Sequence, residues 1–239
     1  MTNGLKTMMN DLFEGLDVEP VEEADEQVAP SYDKISAFYG PIERIIEKSA
    51  HEAALKLLDA HPGEHIAEIG IGTGHTLAAI AECVGEKGHV TGIDITPGMI
   101  SRSQTHLIDA GLMSRATIVD EDARSLSFKD NTFDGAYCGF MLELLKENDI
   151  KRVVHELQRT LRPEGRLVAL SMTKDGCETS LFVRTYEWFH RRFPTLLDCR
   201  PIYLAHALKQ CGFIIENKRM MNVSYIVPVE VVRAMPEKE

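Results

Sequence analysis

Short apolar runs and longer amphipathic runs alternate along most of this chain, and that rhythm restricts the fold more than any other feature. HIAEI, HVTGID, ATIVD, FDGAYCGF and GRLVALSM have the length and apolar content of strands. TLAAIAECV, PGMISRSQTHLIDAG and NDIKRVVHELQRTL space their apolar residues as one face of a helix does. Strands joined through helices need crossover connections. The order therefore predicts an α/β fold, a mostly parallel sheet with helices on both faces. Before it, Tyr32 to Ala60 reads as helical with an interruption near Gly40-Pro41. After Ser171 the rhythm breaks. SLFVRTYEWFHRRF and PIYLAHALKQC read as helices, and FIIENKRMM and SYIVPVEVVRAM as an antiparallel strand pair that completes a seven-stranded sheet.

The first 30 residues are of a different kind. Leu5, Met8, Met9, Leu12, Phe13 and Leu16 line one helical face, and DVEPVEEADEQVAP (17–30) has the composition of a solvated acidic linker. A lone short helix is marginal in water, so this one is expected to dock on its own core or on a second subunit as a homodimer contact. The segment holds eight acids and one base, which is −7 of the total −11, so the remaining chain carries only −4. That balance argues against nucleic acid as a partner, which would need a basic footprint. No apolar run approaches the ~20 residues of a membrane span, and stable membrane insertion is not expected. The 5 cysteines are an odd number, far apart and without a CxxC pair, which favours a reduced, cytoplasmic protein over a disulfide or zinc framework. His61 and His65 have i, i+4 spacing, but Pro62-Gly63 between them breaks the helix a metal pair would need, so no metal site is assigned.

The most informative stretch is Glu68-Ile69-Gly70-Ile71-Gly72-Thr73-Gly74, which closes one strand and opens a helix. Glycines there let a ligand come close to the backbone over the carboxyl end of the strand. A dinucleotide fingerprint wants a third small residue at position 75, where this chain has His75, and its last glycine comes one residue early. A carboxylate at Glu68 would repel a diphosphate but could accept hydrogen bonds from an ammonium group. Asp94 ends the next strand, 20 residues beyond Gly74, where an acid can take both hydroxyls of a ribose. Asp122-Ala123 follows the third strand, and an acid there can reach an adenine amino group. Phe140 and Met141 follow the fourth strand, where they would flank the reactive end of a ligand or simply pack in the core. The joint pattern points to an adenosine-containing ligand.

These residues resemble the class I S-adenosylmethionine-dependent methyltransferases, from about Tyr32 to the C-terminus. EIGIGTG is similar to their first motif and contributes Glu68, Gly70, Gly72, Thr73 and Gly74. GIDITPGMI is similar to the second, with Asp94 as the ribose acid and Ile95 and Met99 beside it. EDARSLSFKDNTFDGAYCGFMLELL and LRPEGRLVALSM resemble the adenine-loop, fourth-strand and fifth-strand segments. YDKISAFYG and PGEHIAEIGIGTGHT resemble the menaquinone/ubiquinone-biosynthesis C-methyltransferase group. The resemblance implies a Rossmann-like fold and S-adenosyl-L-methionine as cofactor, and it suggests that Tyr32 and Tyr39 cap that cofactor. It divides the chain into an appendage (1–30) and a methyltransferase domain (31–239). That domain would comprise cap helices (31–60), a cofactor-binding core (61–175) and a substrate-covering region with the last two strands (176–239). Two departures stand out. Glu164 replaces a family glycine, and GFMLELL replaces the Asn-Val pair that quinone enzymes carry after the fourth strand.

Methyl transfer needs positioning first, and a general base only if the nucleophile must lose a proton. The base candidates are His75, Glu143, Tyr186 and His190, with Glu187 beside them; each also suits a helix-surface or packing role. The reading is thus a methyltransferase acting on a small, partly apolar acceptor. An NAD-dependent oxidoreductase, or a methyltransferase-like binding module without turnover, are the alternatives.

Overall fold

Five strands with branched or aromatic side chains lie side by side because helices, not hairpins, connect most of them. The computed structural model describes residues 48–180, 183–185, 188, 200–223 and 227–237. The N-terminal stretch and linker, Tyr32, Tyr39, Tyr186, Glu187 and His190 lie outside the described residues. A helix, α1, covers residues 48–58. There follow β1 (His65–Ile69), α2 (His75–Val84), β2 (His89–Asp94), α3 (Pro97–Asp109), β3 (Ala116–Asp120), β4 (Phe133–Gly139) and α4 (Glu147–Thr160). The chain continues through β5 (Leu161–Met172), α5 (Leu204–Gln210), β6 (Phe213–Val223) and β7 (Val227–Pro236). The strands form one seven-stranded sheet in the order β3-β2-β1-β4-β5-β7-β6. The first five are mutually parallel, and β7 runs antiparallel to both β5 and β6.

The strand order reverses at β1, which pairs with β2 on one side and β4 on the other. In open α/β sheets, a crevice opens at such a reversal beyond the carboxyl ends of the strands. Each face of the sheet carries its own core. One is built on α4 and α5, with Ile150, Val153, Val154 and Leu157 against Phe133, Ala136 and Leu167. The other is built on α1 and α2, with Ala54, Leu58, Leu77 and Ile80 against Ile66, Val90 and Tyr137. Ile150, Val153, Val154 and Leu157 fall on one face of α4, and each fully buried side chain of this size contributes about 1.5–3 kcal/mol before ordering costs.

Two elements differ from the sequence expectation. The expected PIYLAHALKQC helix begins only at Leu204, because Ile202 pairs with Thr173 in an isolated parallel bridge. The fifth strand begins earlier than GRLVALSM, at Leu161, which pairs with Phe133 before a register shift.

One side chain fastens α1 to the sheet. Arg166 of β5 is 7% exposed. It donates to the Leu58 and Asp59 carbonyls at the end of α1 and, through both terminal nitrogens, to the Glu64 carboxylate at 2.8 and 2.7 Å. Burial acts to raise the Glu64 carboxyl. The Arg166 hydrogen bonds, the His61 amide and the Arg166 charge outweigh it, leaving the group below its ordinary value. Replacing Arg166 with Met leaves two carbonyls without this donor and Glu64 with only the His61 amide. Such a loss costs about 3 kcal/mol, at the lower end for a buried pair because Glu64 keeps some solvent contact. Urea unfolding at neutral pH should show that drop, and an unchanged midpoint would mean the clamp does not hold α1.

Candidate functional site

The turn after β1 is shaped by places where no side chain fits. Gly70 has φ +73 and Gly74 has φ +80, conformations costly for residues with a Cβ. A Cβ at Gly70 would meet Met141 Cγ at 2.8 Å, and one at Gly74 would meet Ser103 Oγ at 2.3 Å. The turn is thus pressed against the end of β4 on one side and against α3 on the other. Gly72 between them differs: a Cβ there would find no atom within 4 Å. Its backbone faces open space, as a cradle for a ligand requires.

Two acids border the cradle. Glu68, the fourth residue of β1, is 3% exposed, and its Oε2 has no hydrogen-bond partner among the described residues. Burial pushes its pKa well above the ordinary carboxylate value, and the nearby Asp94 adds to the shift. Asp94 ends β2. Its Oδ1 accepts from the Thr96 amide at 2.9 Å and its Oδ2 from the Gly72 amide at 3.3 Å. The first contact is the turn-forming role common for an Asp at a strand end. The second ties the acid to the glycine turn. A carboxylate has about four acceptor sites. Two amides leave room for two hydroxyls. Ile95, beside it, is 59% exposed, which puts an apolar surface at the same edge, with Met99 partly buried in the first turn of α3.

The other sequence candidates fall as follows. Asp122 is committed to Arg124, whose Nε and Nη2 donate to Oδ2 at 2.9 and 2.7 Å and whose backbone amide donates to Oδ1. Those hydrogen bonds place its pKa below the ordinary value. Arg124 also reaches Asp149 of α4 at 3.3 Å, so this acid belongs to a loop-to-helix ion network. Ala123 packs on the α4-side core. Phe140 has φ +51, uncommon for a bulky residue, and its amide still donates to the Leu170 carbonyl at 2.9 Å. Backbone strain of this kind collects at functional sites. Met141 follows it against Gly70. Thr73 lies partly buried within the turn.

Of the base candidates, Glu143 is 3% exposed in a short turn after β4 and accepts from the Met172 amide at 3.2 Å. Glu143 and Glu68 both act on the buried Cys138 thiol, whose pKa rises chiefly through burial and further through these two acids. The structure thus brings Glu68, Cys138 and Glu143 together under the end of β4. His75 is exposed at the start of α2, and its ring rests edge-on against His106 of α3 with centroids 4.2 Å apart.

One group at this edge escaped the sequence reading. His51 of α1 shares a 2.6 Å hydrogen bond between its Nδ1 and the Tyr137 hydroxyl. Its ring also meets Phe140 edge-on at 5.4 Å. No local motif marks it, because its partner lies 86 residues away.

The chain is similar to known methyltransferases. Residues 66–165 match a family described as a methyltransferase domain. A demethylmenaquinone methyltransferase of Desulfitobacterium hafniense is 33% identical over 129 residues, covering 54% of this chain and 50% of that protein. A ubiquinone/menaquinone biosynthesis C-methyltransferase of Vibrio cholerae is 28% identical over 222 residues, covering 91% and 77%. The chain thus spans half of the first relative and about three-quarters of the second. A SAM-dependent methyltransferase structure from Aquifex aeolicus superposes with a TM-score of 0.63 at 21% identity, covering 85% of this chain and 97% of that one. Among the described residues, no helix is long and apolar enough to cross a membrane.

The buried Glu68 has a measurable consequence without any ligand. A carboxyl whose folded pKa is raised adds stability below its unfolded value of about 4.5, and loses it as pH climbs toward the folded value. Glu68→Gln should flatten that part of the stability profile and raise the thermal midpoint of the ligand-free protein near pH 8. A variant no more stable than the parent there would show that Glu68 is not a costly buried acid. The glycine turn and the acid-bordered cradle both lie in or beside the stretch that matches a methyltransferase domain, residues 66–165, and the chain resembles the quinone-biosynthesis C-methyltransferases.

Proposed function

We propose that the protein transfers the methyl group of S-adenosylmethionine to a small, partly apolar acceptor, with a quinol-type ring carbon as one candidate nucleophile. The observation that carries the cofactor geometry is the buried Glu68 oxygen that lacks a donor beside the open Gly72 cradle. An ammonium group supplies the missing donors. A diphosphate would meet a carboxyl instead, which speaks against a dinucleotide. Asp94, already oriented by two amides, receives the ribose hydroxyls. Ile95 offers an apolar surface to the base. When bound, the cofactor supplies an electrophilic methyl on a sulfonium. Phe140 and Met141, set at the end of β4, wall the side from which an acceptor approaches. The protein's part is to hold nucleophile and methyl carbon in line, which supplies up to about 7–11 kcal/mol in favourable cases. The apolar acceptor is supported by that wall and by the quinone-pathway names of the relatives.

Three measurements test this reading. S-adenosylhomocysteine should raise the thermal midpoint and NAD should leave it unchanged; the reverse pattern sinks the assignment. Asp94→Ala should weaken S-adenosylhomocysteine binding at least ten-fold by calorimetry, through loss of a bidentate acceptor. Radiolabel from methyl-labelled S-adenosylmethionine should pass into an organic-extractable product when short-chain demethylmenaquinol and simple phenols are offered. Label appearing only in protein or nucleic acid would refute a small-molecule acceptor.

A further inference from the structure

We infer that His51 is the proton acceptor of the methyl-transfer step, held for that task by Tyr137. This rests on the methyltransferase reading above and goes beyond it, since nothing in the sequence motifs includes α1.

The placement comes from four contacts. Tyr137 lies fully buried in the middle of β4, so its hydroxyl is a rigid anchor for Nδ1 at 2.6 Å. Thr76, in the first turn of α2 just past the glycine turn, has its hydroxyl 3.4 Å from the same nitrogen. The Phe140 ring, at the strained end of β4, meets the imidazole edge-on at 5.4 Å. Gly139 makes the approach feasible: a Cβ there would stand 3.0 Å from the imidazole Cε1. His51 therefore bridges the two walls of the crevice, the start of α2 and the end of β4. It is only partly buried. The other described histidines stand elsewhere. His75 and His106 pack on each other, and His65 and His89 lie at the opposite ends of β1 and β2.

The chemistry balances. With Nδ1–H donating to the Tyr137 oxygen, Nε2 carries the lone pair. As the acceptor X–H attacks, the X–C bond forms and the C–S bond breaks. The bonding pair returns to sulfur, and the proton of X passes to Nε2. The imidazolium keeps its Nδ1–H on Tyr137 and releases the proton to water. Among the described groups that face the ring are Tyr137 from β4 and Thr76 from α2, with exposed Lys48 and Glu52 on its own helix.

The ring tautomer gives a test that needs no acceptor. An imidazole that donates from Nδ1 to Tyr137 leaves Nε2 unprotonated, whereas one that accepts from Tyr137 at Nδ1 carries its proton on Nε2 and cannot take another there. In the full chain with nitrogen-labelled histidine, the His51 resonances are identified by their loss in His51→Gln. With S-adenosylmethionine or S-adenosylhomocysteine bound, their shifts at pH 8 should be those of the ring protonated at Nδ1. The ring protonated at Nε2 overturns the inference while leaving the cofactor assignment intact. If calorimetry shows that neither ligand binds, the methyltransferase reading itself falls. With any acceptor found by label transfer, His51→Gln should lower kcat about 100-fold or more with S-adenosylhomocysteine affinity within two-fold. Tyr137→Phe should shift the acidic limb of the kcat–pH profile. A variant of His51 that keeps the parental kcat and pH profile refutes the role.

Discussion

At Gly70 a methyl group would strike Met141, and at Gly74 it would strike Ser103. That crowding sets the distance between β1, the end of β4 and α3, and the rest of the crevice follows from it. Because the turn is pressed inward at both ends, the backbone between them at Gly72 is left facing open space. Because the turn is close to β2, its amide can bind Asp94. Because it is close to β4, the strained Phe140 and the packed Met141 come to stand beside it. The parallel sheet supplies the reversal of strand order, but the missing side chains decide that a ligand can reach the backbone there.

The crevice also depends on a contact far from it. Arg166 sits toward the opposite end of the sheet and ties the last carbonyls of α1 to Glu64. A helix fastened at its C-terminal end is held in register along its length, and His51 lies two turns before that end, on the face that carries Ala54 and Leu58. The position of the imidazole over β4 thus owes as much to a buried guanidinium as to its own hydrogen bond. The clamp is polar rather than apolar because the final carbonyls of α1 need donors, which Arg166 of β5 and Arg233 of β7 supply.

The parallel core was legible because apolar periodicity is a local property. HIAEI, HVTGID, ATIVD and FDGAYCGF emerge as strands with bounds within a residue of those read from the sequence. The glycine turn and Asp94 were legible for a related reason, since the reversal of strand order places neighbouring strand ends together. What was not legible depends on side chains meeting across long separations. Arg166 reaches 102 residues back to Glu64, and Tyr137 reaches 86 back to His51. Asp122 shows a short-range pairing that was also not legible. Its position suits an adenine contact, but Arg124 two residues on folds back over both its oxygens, a local pairing that position alone does not reveal. The start of α5 is a third kind of case. Helical periodicity extends through Ile202, yet a bridge to Thr173 takes that residue into the sheet's margin.

Four acids near the carboxyl ends of the strands stand in four different environments, and the differences carry functional information. Asp122 is neutralised by a guanidinium. Asp94 is oriented by two amides. Glu143 accepts from the Met172 amide under β4. Glu68 is buried with one oxygen lacking any donor among the described residues. A buried carboxyl in that condition opposes folding unless it takes up a proton. A chain that retains it sacrifices some stability at a single point, and such local inconsistencies tend to mark functional sites. The penalty is relieved by a cation that brings its own hydrogen-bond donors into the cradle. On the proposed cofactor reading, Glu68 makes the empty cradle less stable and favours a ligand carrying positive charge.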